Sequence, residues 1–440
     1  MNIAIITAYN QRYKTLSDIT YQTISRYAKK YHHTIHRFTV DHTDKPHWEK
    51  LKLIRSMFEF WHKWCLWIDA DAFINNHDFD IRDLCDNDYD LIISKDFNGL
   101  NSGVMLWQNT ENSRNFLARV KSLEVSTDHP DQEQHAIINL IETEPHSIRV
   151  KYVPQAILNA YDYSLYDLPN HEGHYLKTSF AIHFPGIIYP FTIRRTCEIL
   201  NKHCSLKLCS TEYHEWLLAT DSNWHKQKVL DEIVKKSGEI IEGDCIHEHQ
   251  NINSRPTALK NKQLNLISAA RNASNALEIG FNAGHSALLM LLANPDLKLT
   301  CFDDLSHKYS QKCFDYLKYN FRDRITLVAG NSTDTVPKHN STTPSEYDLI
   351  HIDGSHVPEI AEADLANTYP RLQQFGTLIW DDVQCPKLNH IIQLNVNGGR
   401  LIEHQVYPTL LYPHRIFFKP IAIPPEGHNC QGHPMRYFNT

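Results

Sequence analysis

The chain has 440 residues, 42% of them hydrophobic and 22% charged, with 15 Gly and 20 Pro. At about 100–200 residues per domain this length favours two or three folded units, and the composition excludes a disordered or fibrous chain. With 44 Lys plus Arg against 51 Asp plus Glu, the net charge of -7 excludes a general electrostatic pull toward nucleic acid or anionic membrane.

The opening residues, Met1 to Tyr9, carry no basic leader and only a short apolar run, so Ile3 to Ala8 predicts a strand and not a signal peptide. Leu16 to Tyr31 has helical spacing, Thr34 to Val40 is β-branched and extended, and Trp48 to Trp61 predicts a second helix. Cys65 to Ile68 is a buried strand ending at Asp69, and further strands are expected at Leu91 to Ser94, Val104 to Trp107, Val150 to Val153 and Phe180 to His183. A helix opens at Pro130-Asp131. The alternation is that of an α/β layer fold with a largely parallel sheet. Beyond Gly186 the periodicity weakens, and Arg194 to Arg255 reads as a connector with one helical segment, Trp224 to Lys236.

From Leu264 a second alternation places five strands at 276–279, 299–302, 325–328, 349–352 and 377–380, a doubly wound sheet in its own right. The expected domains are 1–215, a connector and leading segment 216–254, and 255–440, with an irregular closing segment from Pro420 to Pro434. Ten cysteines without a CxxC pair read as reduced thiols in a cytoplasmic protein, and no run approaches the ~18 apolar residues of a spanning helix. Cys245, His247 and His249 do not complete a four-ligand zinc set.

Two stretches carry chemistry. In the first, Trp67-Ile68-Asp69-Ala70-Asp71 puts two carboxylates just after a buried strand, where open α/β sheets place ligands and where oxygens suit a hard divalent cation. Together with the strand Ile3 to Tyr9, Trp48-Glu49-Lys50-Leu51, Asn101-Ser102-Gly103, Asp131-Gln132 and His183-Phe184-Pro185-Gly186, this block resembles the GT-A glycosyltransferases of the galactosyl/xylosyltransferase type over about residues 1–200. The resemblance implies that Asp69, Asp71 and His183 hold Mn2+ or Mg2+ on a nucleotide-sugar diphosphate. It puts Tyr9 and Asn10 at the base, Lys50 near the phosphates, Asn101 and Gly103 along the donor sugar and the cleft for a glycan acceptor, and Asp131 and Gln132 near the anomeric carbon. It also leans toward retention of anomeric configuration.

In the second, Ala276-Leu277-Glu278-Ile279-Gly280-Phe281-Asn282-Ala283-Gly284-His285-Ser286 runs a strand through ExGxxxG into a helix, a turn that lets backbone approach a nucleoside. It has neither GxGxxG spacing nor a P-loop lysine, which disfavours NAD and ATP. Asp303 ends the next strand, placed for a ribose diol. Asn331 and Ser332 follow the third, and Asp353-Gly354-Ser355-His356 and Trp380-Asp381-Asp382 end the fourth and fifth. This series resembles class I S-adenosyl-L-methionine-dependent methyltransferases, in particular the cation-dependent catechol and macrocin O-methyltransferases, over about residues 255–385. That resemblance implies a Rossmann-like domain binding S-adenosyl-L-methionine through Glu278, Gly280, Gly284, Ser286, Asp303, Asn331, Ser332 and Asp353. It implies Mg2+ on Asp353, Asp381 and Asp382, and His356 as general base. The catechol-type enzymes carry lysine at the base position and Asp-Asn at the last strand end, so His356 and Asp381-Asp382 favour a sugar hydroxyl.

The expectation for the whole chain is a bifunctional glycan-building enzyme that transfers a sugar and O-methylates a sugar hydroxyl. Alternatives are an active methyltransferase with a sugar-nucleotide- or glycan-binding first half, and a non-catalytic glycan-binding scaffold.

Overall fold

The computed structural model describes residues 1–421 except 42, 44, 127, 128, 130, 131, 167, 187, 188, 204, 205 and 343–345. Asp131 and most of the expected closing segment therefore lie outside the described residues. The chain divides into two compact units, residues 1–203 and residues 204–422.

The first unit is built on strands β1 (Ala4–Tyr9), β2 (Thr34–Thr39), β3 (Trp64–Ile68), β4 (Ala72–Ile74), β5 (Leu91–Asp96), β6 (Gly99–Gln108), β7 (Val150–Tyr152), β8 (Ala160–Tyr161) and β9 (Ala181–His183). The main sheet has the order β2-β1-β3-β6-β5-β7. Its strands are apolar at consecutive positions because both faces are covered. Ile3, Ile5, Leu66 and Ile68 pack with Ile24, Tyr27 and Ala28 of helix α1 (Lys14–Tyr31). Ala4, Ile6, Cys65 and Trp67 pack with Trp48, Leu51, Ile54 and Phe58 of helix α2 (Pro46–Glu59). Two-sided burial is what removes the polar alternation from such strands.

The main sheet is largely parallel, as expected from the sequence: β6 alone runs against the other five strands. β1, β2 and β3 run parallel, but β6 is antiparallel to both β3 and β5. Asp96 pairs with Gly99 across a two-residue turn, where Gly99 takes φ +111, and so tight a hairpin joins only antiparallel strands. A small second sheet, β4-β9-β8, sits beside it. Helices Glu111–Ser122 (α3) and Gln132–Thr143 (α4) complete the layer.

The region read as a connector with one helical segment is more helical than expected. It contains helices Tyr189–His203, Thr211–Ala219 and Asp221–Ser237. In the first of these, Ile193, Cys197 and Leu200 form a buried stripe at helical spacing, interrupted by buried Thr192 and Thr196, which blurred the pattern in the sequence.

The second unit has the five expected strands, β10 (Asn275–Ile279), β11 (Lys298–Asp303), β12 (Ile325–Ala329), β13 (Tyr347–Ile352) and β14 (Leu372–Trp380). It adds two that the sequence reading missed, β15 (Ile402–Glu403) and β16 (Arg415–Phe418). The order is β12-β11-β10-β13-β14-β16-β15. The first five are parallel and the last two add an antiparallel edge. Strand order reverses at β10, so the carboxyl ends of β10 and β13 flank the switch point where such sheets bind ligands.

Candidate functional site

In the first unit the register of the small sheet creates the site. β4 follows the turn at Asp69 to Asp71 and pairs with β9 so that Ala72 faces His183. The ligand atoms of Asp69, Asp71 and His183 consequently lie within 4.8 Å of one another. His183 Nε2 is 3.3 Å from Asp71 Oδ1, while its Nδ1 is buried with no hydrogen-bond partner. Burial works to raise the Asp71 pKa, but His183 and Lys50 outweigh it and hold the carboxyl below its ordinary value. Gly103 is glycine for a steric reason, since a Cβ there would stand 2.1 Å from His183 Cε1.

Around this cluster the other expected residues are partly engaged with protein. Lys50 is buried and pairs with Glu133 at 2.8 Å and with Asp69 at 3.2 Å. Asp69 also accepts from Trp67 Nε1 at 2.6 Å. Asn101 donates to Asp96 at 3.1 Å and accepts from Asn159 at 2.8 Å and from the Gly103 amide at 2.9 Å. Tyr161 closes the same network on Asp96 at 2.6 Å. Arg37 lies 4.3 Å from the ring centre of Tyr9, and Asn10 caps a short turn through the Tyr13 amide. Gln132 has φ +44, and its Oε1 is buried without a partner, a strained and unsatisfied residue of the kind found at ligand sites.

In the second unit the carboxyl ends of β13 and β14 form a small cleft lined by Asp353, His356, Asp381 and Asp382. Gly280 has φ +90, and a Cβ there would stand 1.9 Å from the Asp353 carbonyl oxygen, so glycine is required by the approach of two strand ends. Gly284, at φ +77, starts helix His285–Ala293 against the Phe281 ring. Glu278 is fully buried, taking hydrogen bonds from Ser286 at 2.5 Å and from His351 Nδ1 at 3.1 Å. Asp303 accepts the backbone amides of Asn282 and Leu305, both at 2.8 Å, and thereby shapes the 280–284 loop. Burial raises its pKa. Asn331 turns its oxygen onto Thr333, opening the helix at Ser332.

Asp381 is held on both oxygens, by Lys262 at 2.6 Å and by His351 Nε2 at 3.0 Å. Asp353 is less constrained. Burial and the neighbouring Asp381 push its pKa up to about 8, despite Lys262 and His351. Asp382, expected among the cation ligands, stands at φ +57 and points elsewhere, to His356 Nε2 at 2.7 Å and Gln384 at 2.8 Å. The convergent trio is instead His351, Asp353 and Asp381. The Asp382 contact raises the His356 pKa to about 9.

Comparison with known proteins separates the two units. A model of the galactosyl transferase GMA12/MNN10 family matches residues 84–188, and a methyltransferase-domain model matches residues 277–383. The chain carries a glycosyltransferase-like domain and a methyltransferase domain. Both assignments are to transferases, of the EC 2.4 and EC 2.1.1 classes. The glycosyltransferase match includes Asn101, Gly103, Gln132 and His183 but begins after Asp69 and Asp71, whereas the methyltransferase match spans every site residue from Glu278 to Asp382.

Among solved structures, one similar to this chain is a glycosyltransferase involved in glycosylation of the major capsid of PBCV-1, at 15% identity and TM-score 0.38, covering 44% of this chain and 98% of that one. Another is an O-methyltransferase from Bacillus cereus in complex with SAH, at 17% identity and TM-score 0.34, covering 48% and 96%. A third is CalS11, a TDP-rhamnose 3'-O-methyltransferase of calicheamicin biosynthesis, at 14% identity and TM-score 0.32, covering 45% and 95%. No match is found among curated proteins.

Sequence reasoning missed three residues that shape these sites. Glu133 in the glycosyltransferase-like domain neutralises Lys50. In the methyltransferase domain His351 and Lys262 fix Asp381. His351 was detectable, because it precedes Asp353 by two positions on a strand and so shares its face. Lys262 gave no signal, since only the fold shows that a lysine in a Lys-Asn-Lys run is 2% exposed.

Proposed function

We propose that this chain is a bifunctional glycan-building enzyme. Its glycosyltransferase-like domain transfers a sugar from a nucleotide-sugar donor to a glycan acceptor in a metal-dependent step. Its methyltransferase domain O-methylates a sugar hydroxyl with S-adenosyl-L-methionine. The observation that carries the reading is that each domain gathers carboxylates and a histidine from separate strand ends into one place.

In the first domain, Asp69, Asp71 and His183 supply two oxygens and one nitrogen, a donor set that fits Mn2+ or Mg2+. The unpartnered His183 Nδ1 and the cradle left by Gly103 belong to the same design. Such an ion supplies positive charge against the departing diphosphate. Lys50 orients Asp69 through their 3.2 Å ion pair, and Gln132, with Asp131 beside it in sequence, stands as the polar pair for the anomeric region. Tyr9, Asn10, Asn101 and Gly103 frame the donor.

In the second domain, Asp353 and Asp381 crowd negative charge into one cleft, which fits Mg2+, while Asp382 on its lining is turned to His356. Relief of the repulsion between Asp353 and Asp381 is what such an ion supplies, along with orientation of a substrate hydroxyl. The loop from Glu278 to Ser286, with Asp303, Asn331 and Ser332, frames S-adenosyl-L-methionine, whose sulfonium supplies an electrophilic methyl group. His356 Nε2 removes the hydroxyl proton once its own is lost to solvent. The functional limits remain about 1–215 and 255–440, with 216–254 leading into the second. A cytoplasmic setting is part of the proposal, supported by eight described cysteines that are all free thiols. Among the described residues, no helix is long and apolar enough to cross a membrane.

The test pairs sugar-nucleotide hydrolysis in Mn2+ with methyl transfer from S-adenosyl-L-methionine on the full chain. Asp71→Asn is expected to abolish the first alone and His356→Ala to lower the second alone by about 100-fold. Sugar transfer that survives Asp71→Asn defeats the assignment in the first domain. A second reading, in which the first domain binds sugar nucleotide without turnover, draws on the engagement of Asp69 by Lys50 and Trp67. Donor binding without hydrolysis by the wild type would select it.

A further inference from the structure

A third cluster of titratable side chains lies in the second unit and shares no residue with the cleft. Asp231 comes from helix Asp221–Ser237, Asp244 and His247 from the loop after it, and His285 is the first residue of the helix following Gly284. Both imidazoles are fully buried and their rings meet at 4.7 Å. His247 Nε2 is 3.3 Å from Asp231 Oδ1, and its Nδ1 is 3.2 Å from Asp244 Oδ2. His285 Nε2 is 3.1 Å from Asp231 Oδ1, and its Nδ1 is 2.9 Å from Asp244 Oδ2.

Only two of these four approaches are aligned as hydrogen bonds, His247 Nδ1 with Asp244 and His285 Nε2 with Asp231. His247 Nε2 and His285 Nδ1 are left buried with no hydrogen-bond partner, although a carboxylate oxygen stands beside each. A simple ion-pair network would turn those N–H bonds onto the oxygens. The ligand atoms of Asp231, His247 and His285 lie within 4.8 Å of one another, close enough to share one ion. With zinc–nitrogen and zinc–oxygen bonds of about 2.0–2.2 Å, neighbouring ligands in a tetrahedral site stand roughly 3.3–3.5 Å apart, near the separations seen around Asp231.

The surroundings also fit. Asp231 Oδ2 receives Arg255 at 2.5 Å, and Asp244 Oδ1 receives the amides of Ile246 and His247 at 2.5 and 2.6 Å. Such outer contacts fix ligand orientation. His249 is exposed and Cys245 is not part of the group, so of the three residues weighed in the sequence only His247 belongs to it.

We propose that Asp231, His247 and His285, with Asp244 behind them, form a structural site for a zinc-class transition metal. The site ties helix Asp221–Ser237 and its following loop to the helix that begins directly after Gly284. It is independent of whether either transferase reaction is assigned correctly.

The test uses the full chain, stripped with a chelator, supplied with Zn2+ in a large excess of Mg2+ to fill oxygen-rich sites, and passed through gel filtration. The wild type is expected to retain about one equivalent of zinc, and His247→Ala and Asp231→Asn under about one-fifth of that. Asp71→Asn, which breaks the first-domain cluster, is expected to retain the full equivalent. Absence of retained zinc in the wild type, unchanged retention in His247→Ala, or loss in Asp71→Asn overturns the proposal. Should the cluster variants fail to fold, Co2+ bound to the stripped wild type decides. Visible absorption bands of a four- or five-coordinate ion with nitrogen ligands are expected, and their absence at one equivalent overturns it.

Discussion

Asp364 offers the most quantitative test of the second unit. It lies on helix Pro358–Thr368 with no exposed surface, its Oδ2 close behind Gly354, and neither oxygen has a well-aligned hydrogen-bond partner. Burial, offset only in part by Ser332, raises its pKa from 3.8 to about 6. An acid with a higher pKa folded than unfolded holds its proton more tightly in the native state. Its contribution to stability is therefore greatest below pH 3.8 and is lost as pH rises through about 6. The difference amounts to about 3 kcal/mol at full ionisation, of which about 2 kcal/mol falls between pH 4.5 and 7.5.

Asp364→Asn removes that titration. The amide brings buried N–H groups where the carboxyl oxygens were, at a cost of about 1–3 kcal/mol if they go unpaired, but this cost is the same at every pH and cancels between pH values. The mutant-minus-wild-type melting temperature is thus expected to rise by about 4–8 °C from pH 4.5 to 7.5 for a unit of this size. Thermal unfolding of the full chain by tryptophan fluorescence measures it. A difference that stays flat within about 1 °C across that range refutes the claim that Asp364 is a buried, reluctant anion.

Lys50→Met leaves Asp69 and Glu133 without their shared cation and is expected to destabilise the first unit by about 3–5 kcal/mol in thermal unfolding, with part restored by adding Glu133→Gln. A lysine that served only ligand phosphates would show neither effect. Gly103→Ala drives the His183 ring aside and is expected to cut sugar-nucleotide hydrolysis by about 100-fold while methyl transfer on the same protein is unchanged. Because a base must be unprotonated to act and Asp382 raises the His356 pKa to about 9, kcat/KM for methylation is expected to climb with pH up to that region. In Asp382→Asn the limb is expected to fall back toward the ordinary histidine range of about 6.5, and an unmoved limb would remove His356 from the role of base.

What the sequence made legible was chemistry placed at strand ends. Asp69, Asp71, Asp353 and Asp381 follow short apolar runs, and a strand of that kind in an α/β sheet delivers its next residue to the ligand edge whatever its neighbours are. The β-hairpin at Asp96 to Gly99 was hidden because an apolar strand buried on both faces has no period that reveals its direction. Partnerships across long separations were hidden for a different reason. Glu133 with Lys50, Lys262 with Asp381 and Asp231 with His285 depend on which surfaces the sheet order brings together, and no local spacing encodes that.

The glycines show both cases in one residue type. Gly280 and Gly284 stood out as a loop that admits a cofactor, yet in the structure each is required by protein atoms, the Asp353 carbonyl and the Phe281 ring. A glycine pattern therefore marks where backbone segments crowd, and a ligand at that place inherits the opening those segments leave. By the same logic Gly103 is legible only once His183 is seen beside it. Its missing side chain is the space for an imidazole, which is why substitution there tests the placement of His183 beside Asp69 and Asp71 without removing any of the three.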